Sequence, residues 1–158
     1  MESQVLDALR LVASDRHKLV ILLGEFGAGK TALLKGLASK LNAAYVNLNL
    51  LLTERLMTVP SRQYSDGVTA HRLIDELCDE LSSDGRTLLV DNVELLFSPE
   101  LGRINPVDTF KRIARQRLVL LALPARRQGA FAEYSALGRP DHMLMPLENY
   151  PVIEMEEG

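Results

Sequence analysis

The most informative segment of the sequence is Gly24-Glu25-Phe26-Gly27-Ala28-Gly29-Lys30-Thr31. It matches G-x-x-x-x-G-K-[ST], the pattern of a P-loop. The glycines allow the backbone to curl until successive N–H groups point at one phosphate. Lys30 would then reach the β- and γ-phosphates, and the Thr31 hydroxyl would bind Mg²⁺. The segment therefore predicts a site in which residues 24–31 hold ATP together with Mg²⁺.

The sequence on either side of this loop supplies the strand and the helix that a P-loop requires. Residues 18–23 are a short, continuous apolar run, which is typical of a strand buried on both faces. Residues 30–41 carry apolar side chains at helical spacing. An ordinary glycine turn would also join a strand to a helix, but this context favours the phosphate site. Phe26 is expected either to contact the base or to pack against the protein.

Further strands and helices alternate along the chain. The pattern predicts strands at 44–48, 87–91 and 118–123, and a last strand at either 143–146 or 151–155. It predicts helices over 3–14, 50–57, 69–82 and 107–116, a loop over 58–68, and no clear structure over 124–142. This alternation predicts an α/β fold, a three-layer P-loop core with a mainly parallel sheet of about five strands. We expect one nucleotide-binding domain over 1–158, with an N-terminal helix (1–16), a core (17–123), a C-terminal segment (124–158) and no helical lid.

A second acidic group is needed to hold the metal, and Asp91 is the best candidate. It ends the buried strand 87–91, which is the layout of a Walker B motif. One strand, 44–48, lies between the P-loop strand and this strand in the sequence. That order resembles the additional-strand class of P-loop ATPases, which includes the AAA+ proteins. In that class another strand lies spatially between the two, so we expect the same here.

The residue that would activate water is less clear than the metal ligands. Many members of that class have a glutamate directly after the Walker B aspartate, but this chain has Asn92 there. An amide can orient a water molecule but cannot take its proton. Glu94 reaches the site if the strand ends in a tight turn, and otherwise it is a solvated surface residue. Asn92 and Glu94 are therefore both candidates, and nucleotide binding is a firmer expectation than fast hydrolysis.

The net charge of −3 conceals an uneven distribution of charge. Residues 103–127 contain seven basic side chains and one acid, so this window carries +6 and the remainder carries −9. Three interpretations compete: a solvated helix face, an arginine donated to a neighbouring molecule's nucleotide, or contacts to the DNA backbone. The acidic helix at 75–80 would complement the basic window in a head-to-tail homo-oligomer. The candidate contact residues are Arg112, Arg115, Arg117 and Arg126.

Composition excludes several other classes of protein. The 158 residues include one cysteine, so neither a disulfide framework nor a cysteine-rich zinc site can form. The first residues have no signal-peptide layout, and no apolar run approaches the roughly 20 residues that span a membrane. We therefore expect a cytoplasmic protein with no membrane contact.

Several further segments resemble one known family. They are Leu96-Phe97-Ser98-Pro99-Glu100-Leu101, Asn105-Pro106, Ile113-Ala114-Arg115-Gln116-Arg117 and Gly138-Arg139-Pro140-Asp141. Together with the small P-loop core, they resemble the BrxF P-loop proteins of type 3 BREX bacteriophage-exclusion systems. The resemblance implies a cytoplasmic ATP-binding component of antiviral defence. Its implied partners are other BREX proteins, including a larger ATPase, a DNA methyltransferase and an alkaline-phosphatase-like protein.

The sequence as a whole predicts a slow Mg²⁺-dependent ATPase that acts as a switch or assembly component in such a defence system. Two alternatives remain. One is a module that binds nucleotide for assembly without hydrolysing it, which Asn92 favours. The other is a DNA-binding accessory factor, which the basic window favours and the acidic total does not.

Overall fold

A parallel five-stranded sheet forms the centre of the molecule. The computed structural model describes residues 1–60 and 67–156. The strands of this sheet are β1 (Leu19–Leu23), β2 (Ala44–Asn47), β3 (Leu88–Asp91), β4 (Val119–Leu123) and β8 (Val152–Glu154). They lie in the order β2-β3-β4-β1-β8, and every neighbouring pair is parallel. Because β4 lies between β1 and β3, the expected additional-strand arrangement is confirmed.

Helices cover both faces of the sheet and give the predicted three layers. They are α1 (Glu2–Val12), α2 (Lys30–Leu41), α3 (Leu48–Leu56), α4 (Val68–Leu81) and α5 (Pro106–Ile113). Alternate residues of the buried strands face opposite sides, so Leu19 and Ile21 pack in one core and Val20 in the other. The first core contains the apolar faces of α3, α4 and α5, and the second contains those of α1 and α2. The predicted fold class is therefore confirmed.

A small antiparallel sheet follows β4, where the sequence showed no clear pattern. Its strands are β5 (Arg126–Gln128), β6 (Phe131–Tyr134) and β7 (Met143–Pro146), in that order. The Tyr134 ring stacks on Phe97 with the ring centroids 3.8 Å apart, which fixes the small sheet on the core. Both candidates for the last strand are strands, but only Val152–Glu154 joins the main sheet.

Capping residues move two helix boundaries from their predicted positions. The Asn47 side chain accepts from Leu50 N and Asn105 accepts from Val107 N, so α3 and α5 begin earlier than expected. The helix predicted over 107–116 ends at Ile113. Of the predicted loop 58–68, residues 61–66 lie outside the described residues, and α4 already begins at Val68.

The described part of the chain contains no helical lid domain beside the sheet. Within residues 1–60 and 67–156, no helix has the length and apolar character needed to cross a bilayer.

Arg117 holds the end of α4 against the start of β4. Its side chain is 13% exposed and donates to Cys78 O at 3.0 Å and to the Ser82 hydroxyl. It also pairs with Asp79 at 3.1 Å. Cys78 O also accepts from Ser82 N at 3.1 Å, so the guanidinium adds a charged donor to a carbonyl in the last turn of α4 and gives the buried Ser82 hydroxyl oxygen a donor. Arg117 is therefore part of the fold.

We expect Arg117→Ala to lower the free energy of unfolding by about 1–3 kcal/mol, because the buried Ser82 hydroxyl and Cys78 carbonyl lose a charged donor and the pair with Asp79 is lost. The melting temperature should fall by about 2–4 °C for each kcal/mol in a chain of this size. Thermal and urea unfolding would measure both values. Arg10→Ala is the control, since Arg10 forms an exposed pair with Asp7 and should change stability by less than about 0.5 kcal/mol. Equal effects of the two substitutions would contradict this role for Arg117.

Candidate functional site

The predicted phosphate site is a cavity of about 310 Å³ at the carboxyl ends of β1, β3 and β4. Ligands of open parallel sheets bind at this edge, where strand order changes. The cavity contains residues from three separate predictions: the P-loop, the metal ligand and the candidate water-activating groups. Its walls are formed by Phe26, Gly27, Gly29, Lys30, Thr31, Asp91, Asn92, Glu94 and Pro124.

The P-loop itself depends on glycine at defined positions. Gly27 and Gly29 have φ angles of +87° and +93°, in the left-handed region that other residues rarely adopt. At Gly24, a Cβ would lie 3.1 Å from the Cβ of Ala28, so the loop folds tightly on itself. Gly29 also precedes the first residue of α2, so the positive end of that helix faces the cavity. This is the backbone geometry that binds phosphate.

Lys30 lies at the centre of the loop. Its ammonium donates to the backbone oxygens of Gly24 and Glu25, the latter at 3.0 Å. Burial lowers the pKa of Lys30, and the carboxylates of Asp91 and Glu94 oppose that shift. The partly buried Lys30 ammonium, bordered by these carboxylates, is suited to bind a phosphate group that arrives together with Mg²⁺.

Asp91 and Thr31 meet where the metal ligands were predicted. Asp91 is 3% exposed, and its Oδ2 accepts from the Thr31 hydroxyl at 2.5 Å. Its Oδ1 accepts from Asn92 N at 3.0 Å, which orients the carboxylate. Mg²⁺ is bound by hard oxygen ligands, usually one or two from the protein together with phosphate oxygens. A buried carboxylate and a hydroxyl at the edge of the phosphate cavity fit that ion.

Tyr45 is a site residue that the sequence reasoning missed. Its hydroxyl donates to Asp91 Oδ2 at 2.8 Å, and the ammonium of Lys35 lies 5.4 Å from the centre of its ring. In the parallel register Tyr45 is opposite Leu89, so the ring extends along β2 to reach a residue two positions further on β3. Burial, followed by the bond to Asp91, raises the pKa of Tyr45 to about 12. The phenol therefore remains a donor at neutral pH.

The tight turn on which Glu94 depended is present. A 3-10 helix, Glu94–Phe97, begins two residues after Asn92, and Glu94 lies on the wall of the cavity. Glu94 Oε2 accepts from Asn49 Nδ2 at 2.8 Å, while Asn49 Oδ1 accepts from Leu95 N at 2.9 Å. Asn49, which the sequence did not single out, therefore fixes both the carboxylate and the turn that carries it.

Asn92 adopts a left-handed conformation with φ of +56°, which asparagine tolerates better than most residues. Its carbonyl accepts from Asn49 N at 2.8 Å. Pro124 occupies the end of β4 at the cavity wall, so it contributes no polar group there. The Phe26 side chain is 92% exposed, so it does not pack against the protein as one interpretation required.

The four candidate arginines separate into two places. Arg117 lies just before β4, and Arg115 contacts His17, which lies just before β1. Both arginines are therefore at the amino ends of the strands, opposite the P-loop. Arg112 pairs with Asp75 at 2.7 Å, and Arg117 pairs with the same acidic helix. The acidic helix thus complements the basic window within one chain, which weakens the reason for expecting a DNA contact or a head-to-tail partner. Arg126 alone lies beside the P-loop, 3.6 Å from Glu25.

No protein-family model matches the sequence, and no curated protein matches it either. Among solved structures, the chain is similar to PCH-2 of C. elegans, an AAA+ ATPase, with a TM-score of 0.53 and 22% identity. The match covers 98% of this chain and 42% of the PCH-2 chain. The chain therefore shares the fold of part of that protein, a P-loop core around a parallel five-stranded sheet. The comparison extends to the fold alone, and nothing in it points to the BREX family.

We expect Tyr45→Phe to weaken nucleotide binding in the presence of Mg²⁺ by about tenfold, because groups that orient a metal ligand typically contribute that much. Binding in the presence of a chelator should be unchanged. Calorimetric titration with ATP under the two conditions would measure this difference. Tyr134→Phe, which keeps the ring stacked on Phe97, is the control. An equal loss with and without Mg²⁺ would show that Tyr45 acts on the fold and not through Asp91.

Proposed function

We propose that this protein binds ATP with Mg²⁺ and hydrolyses it slowly, as a nucleotide-dependent switch. The observation that carries the proposal is the arrangement around one cavity of a P-loop lysine, a buried carboxylate bonded to the P-loop hydroxyl, and a fixed glutamate. The AAA+-like fold supports the same chemistry at the level of the class.

Phosphate binding would use groups that are already oriented. Gly27, Gly29, Lys30 and Thr31 line the cavity at the start of α2, and the Lys30 ammonium needs only to transfer from backbone oxygens to phosphate oxygens. Asp91 and Thr31 would hold Mg²⁺. That ion, when bound, neutralises charge on the phosphates and orients them.

Hydrolysis would depend on Glu94. It is the one carboxylate on the cavity wall, among the described residues, other than the metal ligand Asp91. Because Asn49 holds Oε2, the other oxygen remains to accept a proton from water. Asn92 would orient that water. The cavity has no carboxylate directly after Asp91 and no polar side chain at Pro124, and both features favour a slow rate.

A second candidate is a module in which ATP stabilises assembly and is not hydrolysed. Asn92 favours it, since an amide stands where the related class has a general base. In this case copies of the chain would associate head-to-tail through the nucleotide site, as in AAA+-like rings.

The finer proposal is a cytoplasmic role in BREX antiviral defence with the partner proteins named above. The sequence resemblance over residues 96–117 and 138–141 supports it. The structural comparison adds the fold and is equally compatible with other AAA+-like proteins.

We expect Lys30→Ala to lower ATP affinity by about a hundredfold, because the phosphates lose their principal charge-assisted donor. Isothermal calorimetry with ATP and Mg²⁺ would measure the affinity. Lys40→Ala is the matched control, since Lys40 lies at the other end of α2 and pairs with Glu2 on the surface. Retained affinity in Lys30→Ala would refute the site.

We expect Glu94→Gln to keep ATP affinity and to slow phosphate release by about 10²–10⁴-fold, the usual contribution of a general base. Glu100→Gln, in the next 3-10 turn and exposed, is the control and should keep the wild-type rate. Single-turnover phosphate release would measure both variants. No release from the wild type, with binding intact, would instead support the assembly module.

A further inference from the structure

Arg126 lies where the small sheet meets the nucleotide cavity. It begins β5, three residues after the end of β4. A second cavity of about 370 Å³, lined by Arg126 and Glu25, adjoins the first and shares Phe26, Glu94 and Pro124 with it. The two cavities therefore border one another on the side that carries Glu94.

Two carboxylates hold the guanidinium of Arg126 at this position. Glu133 of β6 accepts from it at 2.6 Å, and Glu25 of the P-loop is 3.6 Å away. Glu133 also contacts His142 at 2.8 Å, and that bond together with Arg126 lowers the pKa of Glu133. The side chain of Arg126 is 44% exposed, so its head group faces solvent between the two acids. It is positioned by charge and is not buried by packing.

The charges on the first cavity create a need for a second cation. Lys30 is the one basic side chain on its wall within the described part of the chain, and it faces the carboxylates of Asp91 and Glu94. A nucleotide triphosphate carries more negative charge than one ammonium and one Mg²⁺ neutralise, and the excess lies at the terminal phosphate. A guanidinium offers two parallel N–H donors in a planar fork to two oxygens of one phosphate, a fixed geometry that an ammonium does not have.

We infer that Arg126 binds the γ-phosphate of ATP from within the same chain. The inference rests on the proposed function, because it requires that the P-loop hold a triphosphate. On binding, the guanidinium leaves Glu25, its more distant partner, and donates to the terminal phosphate, while Glu133 keeps its orientation. The small sheet thereby becomes the element that distinguishes ATP from ADP. The arginine that contacts the terminal phosphate would then come from β5 of the same chain, and not from a neighbouring molecule.

The test is the ratio of the affinities for ATP and ADP, measured by calorimetry with Mg²⁺. Arg126→Gln should lower ATP affinity by about tenfold and leave ADP affinity unchanged, because ADP has no γ-phosphate. Arg126→Lys should lose part of this preference. Arg127→Gln is the matched control: it is the next residue of the same strand, and its side chain pairs instead with Glu154 at 3.8 Å. Circular dichroism would verify that every variant folds.

An equal change in both affinities, or none, would overturn the inference. Wild-type protein that binds neither nucleotide would refute the proposed function itself, and this result precedes any use of the variants. Mixing the Arg126→Gln and Lys30→Ala proteins distinguishes an arginine that acts within its own chain from one that acts on a neighbouring molecule. If the Lys30→Ala protein restores the ATP preference of Arg126→Gln, the arginine acts between molecules and the inference is wrong. No restoration, together with the altered ratio, supports it.

Discussion

The hydrogen bond from Thr31 to Asp91 joins two parts of the molecule that do not touch through their backbones. Thr31 lies in the first turn of α2, which follows β1 and the P-loop, and Asp91 ends β3, yet β4 lies between β1 and β3. Two strand spacings separate β1 from β3 by roughly 10 Å. The bond forms because α2 crosses to β3 and shares a core with it, through Leu34 and Leu37 of α2 and Leu89 of β3. Strand β4 ends at Leu123 and is followed by Pro124, which places no polar side chain between the two. The nucleotide cavity is the space left by that geometry.

The fold could be predicted largely because its central strands are uniform. Strands β1, β3 and β4 are buried at every residue, so each appears in the sequence as an apolar run ending at a glycine, an aspartate or a proline. The small sheet could not be predicted in the same way. Strand β5 has three residues, all of them exposed, and its partner β6 buries only Ala132 fully. Such strands have no periodicity, since pairing with a neighbour and the Phe97–Tyr134 stack hold them in place.

The residues of the candidate site also fall into two groups, those that a local sequence motif identifies and those that contacts between distant segments bring to the site. The P-loop and Asp91 are local patterns and were found from the sequence. Tyr45 and Asn49 act through the register of β2 against β3 and through the start of α3, and no spacing in the sequence records which residues those contacts join. The position of Glu94 depended on whether a strand ended in a tight turn, and Asn49, which accepts from Leu95 N, stabilises that turn from a distant part of the sequence. Residues that orient a functional side chain, such as Tyr45 and Asn49, are therefore harder to recognise from the sequence than the functional side chain itself.

The distribution of charge illustrates what a linear window conceals. Arg112 and Asp75 are separated by 37 positions, so they fall into opposite halves of the charge count, but α5 packs on α4 and brings them within 2.7 Å. Most of the basic window is thereby paired with acids of the same chain, and its excess gives little reason to expect an external anion. Exposed pairs of this kind contribute little stability individually, so their main effect is to match the two helices to one another. The arginine left at the other edge of the sheet has a different setting, because one of its two acidic partners is part of the loop that would hold phosphate. A cation placed there responds to whatever occupies that loop, whereas the cations on α5 do not.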